Sequence, residues 1–149
     1  MVRFGLNNNK NNFVTAIYIR VSTQEQKRDG FSPEYQTHAC RKYIQDRGYK
    51  EFKIYSDLAV SGTTQHTERP GFTQLLKDAK AGLFNILVFH AFDRLARNSN
   101  VAYAMISLLE VYQIKIIECQ NNIDTSKDDG RFRMAIYFAL SEKEHDQDS

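Results

Sequence analysis

Apolar residues along this chain fall into two alternating rhythms. "FVTAIYIRV", residues 13–21, is a run of β-branched and aromatic residues that suits a strand. "SPEYQTHACRKYIQDRG" carries helix punctuation: Ser32 can cap it, Pro33 fits its first position, and Gly48 can end it. "FKIYSD" predicts a second strand. "RPGFTQLLKDAKAG" places Phe72, Leu75, Leu76 and Ala79 on one helical face, with Gly82 as the stop. "FNILVFHAF" is apolar on both faces, as a central parallel strand should be. "NSNVAYAMISLLEVY" predicts a helix with the stripe Val101, Met105, Leu108 and Tyr112. "IKIIEC" is a fourth strand and "NNIDTSKDDG" reads as a turn. "RFRMAIYFALSEKE" is an amphipathic helix running into an acidic end.

Repeated β–α alternation predicts an α/β fold of three layers. A mostly parallel, twisted sheet of four to five strands carries helices on both faces. The 149 residues suit one such domain. Residues 1–12, polar and Asn-rich, read as a flexible leader, and residues 13–149 as the domain.

Composition changes this picture little: 42% hydrophobic and 26% charged residues are ordinary for a globular chain. No apolar run suits a membrane span or a signal-peptide core, so a cytoplasmic location is expected. The net charge of +2 hides a split, because the tail "SEKEHDQDS" is acidic and the body without it stands near +5. That balance is compatible with a nucleic-acid partner and does not require one. Cys40 and Cys119 form no C-x-x-C pair and read as buried reduced thiols. The histidines His38, His66, His90 and His145 show no H-x-x-x-H spacing, so no metal site is expected.

In sheets of this kind ligands bind beyond the carboxyl ends of strands, where strand order switches. The first strand ends in Arg20-Val21-Ser22, and Tyr18, Arg20 and Ser22 fall on one face. The second ends in Asp57 and leads to Ser61, Gly62 and Arg69. The third leads into "FDRLARN", with Asp93, Arg94 and Arg97. Four arginines from three loops can converge beside one serine hydroxyl. Guanidinium groups hold their charge and present a planar fork to phosphate oxygens, and nearby positive charge favours a serine alkoxide. A phosphodiester site follows. Taken singly, each of these residues reads as a turn, a cap or a solvated surface group; the joint placement at three strand ends carries the reading.

"YIRVSTQEQ", "DLAVSGTTQHTERPGF" and "FDRLARN", in that order, resemble the catalytic domain of serine site-specific recombinases, the resolvase/invertase family. The spacer "KRDGFSPEYQ" is similar to that of the large members, the integrases of phages and the transposases of mobile elements. The resemblance spans roughly residues 15–144. It implies that Ser22 attacks a DNA phosphate to form a 5′-phosphoserine link. Arg20, Arg69, Arg94 and Arg97 then grip the scissile phosphate, and Asp93 is an acid/base helper or orients an arginine. Gln26, Gln36 and Ser61 match supporting polar positions, and Glu144 a subunit contact; Tyr18, from its place on the face of Arg20 and Ser22, is expected to line the site or support the DNA. The family uses no metal or nucleotide cofactor. Its partners are double-stranded DNA and further copies of the same chain, as dimer and tetramer. Against this pattern, residues after Glu144 are acidic and the chain ends at Ser149. The expectation is a catalytic part without the C-terminal DNA-binding domains, its last helix cut short. The alternative classes are a phosphoryl-receiver-like signalling domain, a nucleotide-binding module and a non-catalytic dimerisation domain. The first asks for paired carboxylates after the first strand, where this chain has Arg20 and Ser22. The second asks for a glycine-rich phosphate loop, which is missing.

Overall fold

The structure is a computed structural model and describes residues 13–22, 32–58, 69–96 and 98–148, the last seven as backbone alone. The elements run β1 (Val14–Val21), α1 (Pro33–Arg47), β2 (Lys50–Leu58), α2 (Pro70–Lys80), β3 (Ile86–Phe89), α3 (Phe92–Leu95), α4 (Ser99–Val111), β4 (Lys115–Glu118), β5 (Ile123–Asp124) and α5 (Asp128–Asp148). The sheet order is β2-β1-β3-β4-β5, parallel throughout except for β5. This is a doubly wound order, whose crevice lies between β1 and β3.

Alternation along β1 builds both layers. Ala16 and Tyr18 enter the larger core, with Phe72, Leu75 and Ala79 of α2, Met105 and Leu109 of α4, and Met134 and Phe138 of α5. Ile17, Ile19 and Val21 point the other way, into a smaller core with Cys40 and Ile44 of α1. The sheet is thus covered on both faces, which suits apolar parallel strands. Ser32 caps α1 by accepting the Tyr35 N–H at 3.1 Å, and Gly48 closes it at φ 71°, a left-handed conformation glycine adopts without a steric cost. Among the described residues no helix is long and apolar enough to cross a membrane.

Four details depart from the sequence pattern. The third strand stops at Phe89, because the chain turns at His90 and re-enters helical geometry at Phe92. The buried stripe of α4 is Ala102, Met105, Ile106 and Leu109, one step around from the expected one, with Val101 and Leu108 half-buried. The supposed turn after β4 contains β5, which pairs Ile123 with Glu118 and Asp124 with Ile117. Finally, α5 is apolar on two sides: Met134 and Phe138 are buried, while Phe132, Ile136 and Leu140 face outward. Cys40 is buried and Cys119 half-buried, both free. Their thiols meet under α1, and that contact, then burial, holds the Cys40 thiol well above its ordinary range.

Candidate active site

The carboxyl ends of β1 and β3 bring Arg20, Ser22, Asp93 and Arg94 to one place. Ser22 is the first residue after β1 and is half-buried. Arg20, two residues earlier, is fully buried, and so is Arg94 but for 1% of its surface. Burying a guanidinium is costly unless its donors are met. Here two arginines meet each other's backbone. Arg20 donates through Nε to the Arg94 carbonyl at 3.1 Å and through a terminal nitrogen to the Asp93 carbonyl. Arg94 in return donates to the Arg20 carbonyl at 3.0 Å. Gln36 of α1 donates to that same carbonyl at 3.2 Å. The end of β1 and the turn after β3 are therefore locked together by crossed side-chain-to-backbone bonds.

Asp93 completes the turn. Its Oδ1 lies 3.0 Å from Arg94 Nε, and its side chain is 45% exposed. A carboxylate at this position orients the guanidinium and still reaches solvent.

Arg69 comes from the third side. It stands at the N-cap of α2, where no side chain of its own caps the helix. The cap comes from Asp57 instead, which accepts the N–H groups of Gly71 at 2.7 Å and Phe72 at 2.9 Å. Asp57 is the β2 partner of Arg20 in the sheet register. Gly71 is required by this closeness: a Cβ there would lie 2.3 Å from the Ser56 carbonyl oxygen. With capping assigned to Asp57, the Arg69 side chain runs inward, fully buried, and donates to the Leu95 carbonyl at the end of α3. It also lies 3.9 Å from the Met105 sulfur.

Tyr18, expected to line the site, is fully buried and donates its hydroxyl to Asp57 at 2.8 Å. Burial foremost, with the Asp57 charge and hydrogen bond, drives the phenol well above its usual range, against the opposing pull of Arg69 and Arg20. Tyr18 is thus a brace under the site, and its place on the Arg20 face agrees with the strand pattern. His90 follows β3 with its ring 5.2 Å from Tyr35, and burial keeps its imidazole below the ordinary value.

Gln26, Ser61 and Arg97 lie outside the described residues, and Glu144 falls in the part of α5 described as backbone alone. Among the described residues no group of three or more His, Cys, Asp or Glu side chains could hold a metal ion.

Two residues carry more of this arrangement than their sequence positions suggest. One is Asp57, legible only as a strand end. The other is Glu118, the last residue of β4 and fully buried. An acid within the last two residues of a strand, on the side where ligands bind, is the signal that marks both.

Comparison with known proteins gives the family and the fold. Residues 15–148 match the family described as "Resolvase, N terminal domain". The chain is 30% identical over 129 residues to the serine recombinase gin of Escherichia phage Mu, covering 87% of this chain and 58% of that protein. It is 40% identical over 82 residues to a putative DNA recombinase of Bacillus subtilis (strain 168), covering 55% of this chain and 15% of that protein. The chain thus spans under two thirds of the length of either relative. Among solved structures, the N-terminal catalytic domain of TP901-1 integrase superposes with a TM-score of 0.73 at 28% identity, over 91% of this chain and 99% of that one. The chain belongs to the resolvase family of serine recombinases, and the fold described above is that family's N-terminal catalytic domain.

Proposed function

We propose that this domain breaks and rejoins DNA in site-specific recombination, of the integrase or transposase kind, through a 5′-phosphoserine intermediate at Ser22. The observation that carries this is the position of Ser22 at the β1–β3 switch point, beside the interlocked Arg20 and the Asp93–Arg94 turn. The Ser22 Oγ forms a bond to phosphorus as the bond from phosphorus to the 3′ oxygen breaks. The serine proton passes to a base, and the departing 3′ oxygen takes up a proton. The reverse attack by a free 3′ hydroxyl reseals the strand. Asp93 is placed for the acid/base role or for holding Arg94 in line.

Positioning and charge stabilisation supply most of what phosphoryl transfer needs. Arg20 and Arg69 donate to carbonyl oxygens, which carry partial charge, and Arg94 to a carbonyl and to the Asp93 carboxylate. A phosphodiester offers a full negative charge and a geometry that matches the guanidinium fork. The scissile phosphate therefore competes for these donors, with Arg97 as a fourth guanidinium and Gln26, Gln36 and Ser61 in support. The reaction runs without a metal or nucleotide cofactor.

Self-association fits the outer face of α5. Phe132, Ile136 and Leu140 are exposed at four-residue spacing, and Glu144 is the next position on that line. The domain acts as a dimer or tetramer on double-stranded DNA in the cytoplasm of a bacterium, encoded by the host or a phage.

The test is covalent capture. The intact protein is incubated with nicked duplexes of randomised sequence, and the DNA-linked peptide is mapped. The expected adduct sits on Ser22, is lost in Ser22→Ala, and falls at least ~100-fold in Arg69→Lys, whose point charge cannot replace the fork. An adduct that persists in Ser22→Ala overturns the reading.

A further inference from the structure

Glu118 is a buried acid for which neither the fold nor the proposed chemistry has yet given a reason. It closes β4, beside Phe89 of β3 in the sheet register. Its side chain is fully buried, yet among the described residues it forms no ion pair with an arginine. It accepts three hydrogen bonds instead. The Asn121 backbone N–H reaches Oε1 at 2.5 Å, and the Asn121 side-chain amide reaches Oε2 at 2.9 Å. The third donor is the backbone N–H of Phe92, the first residue of α3.

That third bond matters for the site. Ala91, at the N-cap of α3, has no side-chain oxygen with which to cap it. Glu118 supplies the missing acceptor from the neighbouring strand, and a carboxylate is the acceptor an N-terminal turn favours most. The next two residues are Asp93 and Arg94, and Arg94 is crossed with Arg20. A displacement of Phe92 moves all three.

We propose that Glu118 is a positioning residue for DNA cleavage, its buried carboxylate fixing the turn that carries Asp93 and Arg94 and, through them, Arg20. This deepens the recombinase reading and rests on it.

The arrangement is held against a cost to folding. Burial raises the Glu118 carboxyl above its ordinary value, and the like charge of Asp93 on α3 pushes the same way, against the hydrogen bonds from Asn121 and Phe92. Ionised Glu118 therefore weakens the fold at neutral pH while holding the arginine turn. A residue kept only for stability shows the opposite behaviour.

The experiment uses the intact protein in three forms: wild type, Glu118→Gln and Glu118→Ala. Melting temperature is measured at pH 7.5, and the rate of adduct formation at a temperature where all three are folded. Positioning predicts that Glu118→Gln, which keeps one acceptor oxygen and loses the charge, melts higher than wild type. Its rate drops roughly 10-fold, and that of Glu118→Ala roughly 100-fold, the scale of a misplacement of about 1 Å. DNA affinity stays within about threefold in both, since neither touches the phosphate. Wild-type rates in both variants overturn the proposal, as does a rate loss that tracks a fall in melting temperature. A wild type that gives no Ser22 adduct brings down the recombinase reading instead. Positioning is then read from hydrogen exchange at the Phe92 amide. Loss of protection in Glu118→Gln supports it, and unchanged protection overturns it.

Discussion

Asp57 lies one residue before the end of β2 and Glu118 ends β4, the two strands that flank the central pair β1 and β3. Both are buried acids, and both accept three hydrogen bonds that include the opening N–H groups of a short arginine-bearing segment. Asp57 caps α2, just after Arg69; Glu118 meets the first N–H of α3, just before Arg94. Neither helix is capped by its own N-cap side chain. The comparison teaches how this fold frees residues for chemistry. With the cap supplied from an adjacent strand, an arginine can occupy the N-cap of α2 and turn its side chain inward.

The two acids differ in what else they hold. Asp57 takes its third bond from Tyr18 of β1, inside the larger core. Glu118 takes its other two from Asn121, in the turn that leads to β5 and α5. Asp57 therefore ties core to site, whereas Glu118 ties the site to a surface turn. Removing each should have a different signature.

The largest effect falls on Asp57. Asp57→Ala leaves the Tyr18 hydroxyl and two helix N–H groups without this acceptor and costs about 3–5 kcal/mol of stability in urea unfolding. A loss below about 1 kcal/mol breaks the comparison, because Asp57 is then no anchor. Gly71→Ala tests the same corner from the other side. Its methyl group meets the Ser56 carbonyl at 2.3 Å, so α2 must shift away from β2, at a cost of about 1–3 kcal/mol. An unchanged unfolding midpoint refutes that closeness.

Glu118 sharpens the contrast through pH. Its carboxyl is raised from an ordinary value of 4.5, so as pH falls the folded chain binds this proton before the unfolded chain does. Stability from this group is therefore greatest below pH 4.5 and declines as pH rises through the raised value. Glu118→Gln removes that decline. Its stability advantage over wild type should grow between pH 4 and pH 8 in unfolding titrations, and an advantage that shrinks over that range contradicts the sign. The smallest effect on stability is expected far from both acids. Phe132→Ser on the outer face of α5 changes unfolding free energy by less than about 0.5 kcal/mol. The same change lowers the self-association seen by light scattering, and an unchanged oligomer distribution argues against that face.

Much of this fold was legible because the apolar rhythm is set by local physics. The alternation along β1 sorted Tyr18 and Arg20 from Ile17 and Ile19 correctly, and Ser32 and Gly48 marked the ends of α1. The α4 stripe was read one step off, because Ala102 and Leu109 fit the same periodicity as Val101 and Leu108. Only the neighbouring helices decide which stripe is buried. Strand β5 was missed because two residues carry no period. At the site, Arg20, Ser22, Asp93, Arg94 and Arg69 could be named from strand ends and the loops after them, and Gln36 from the family resemblance alone. The crossed bonds between Arg20 and Arg94 could not, since they depend on backbone carbonyls, which every residue has. Glu118 stayed hidden for a related reason: its donors are a backbone N–H 26 positions earlier and an asparagine at the start of a turn, neither of which carries a pattern that points to it.

The most direct test of the central claim is a crystal structure of the intact protein bound to a nicked DNA duplex. The account predicts a phosphate within about 3.5 Å of the Ser22 Oγ, the near-attack distance. Arg20, Arg69 and Arg94 should turn from the carbonyls of residues 93–95 and 20 to the phosphate oxygens, with Asp57 and Glu118 still holding their helix N–H groups. A phosphate bound away from Ser22, with the three arginines still on those carbonyls, contradicts it.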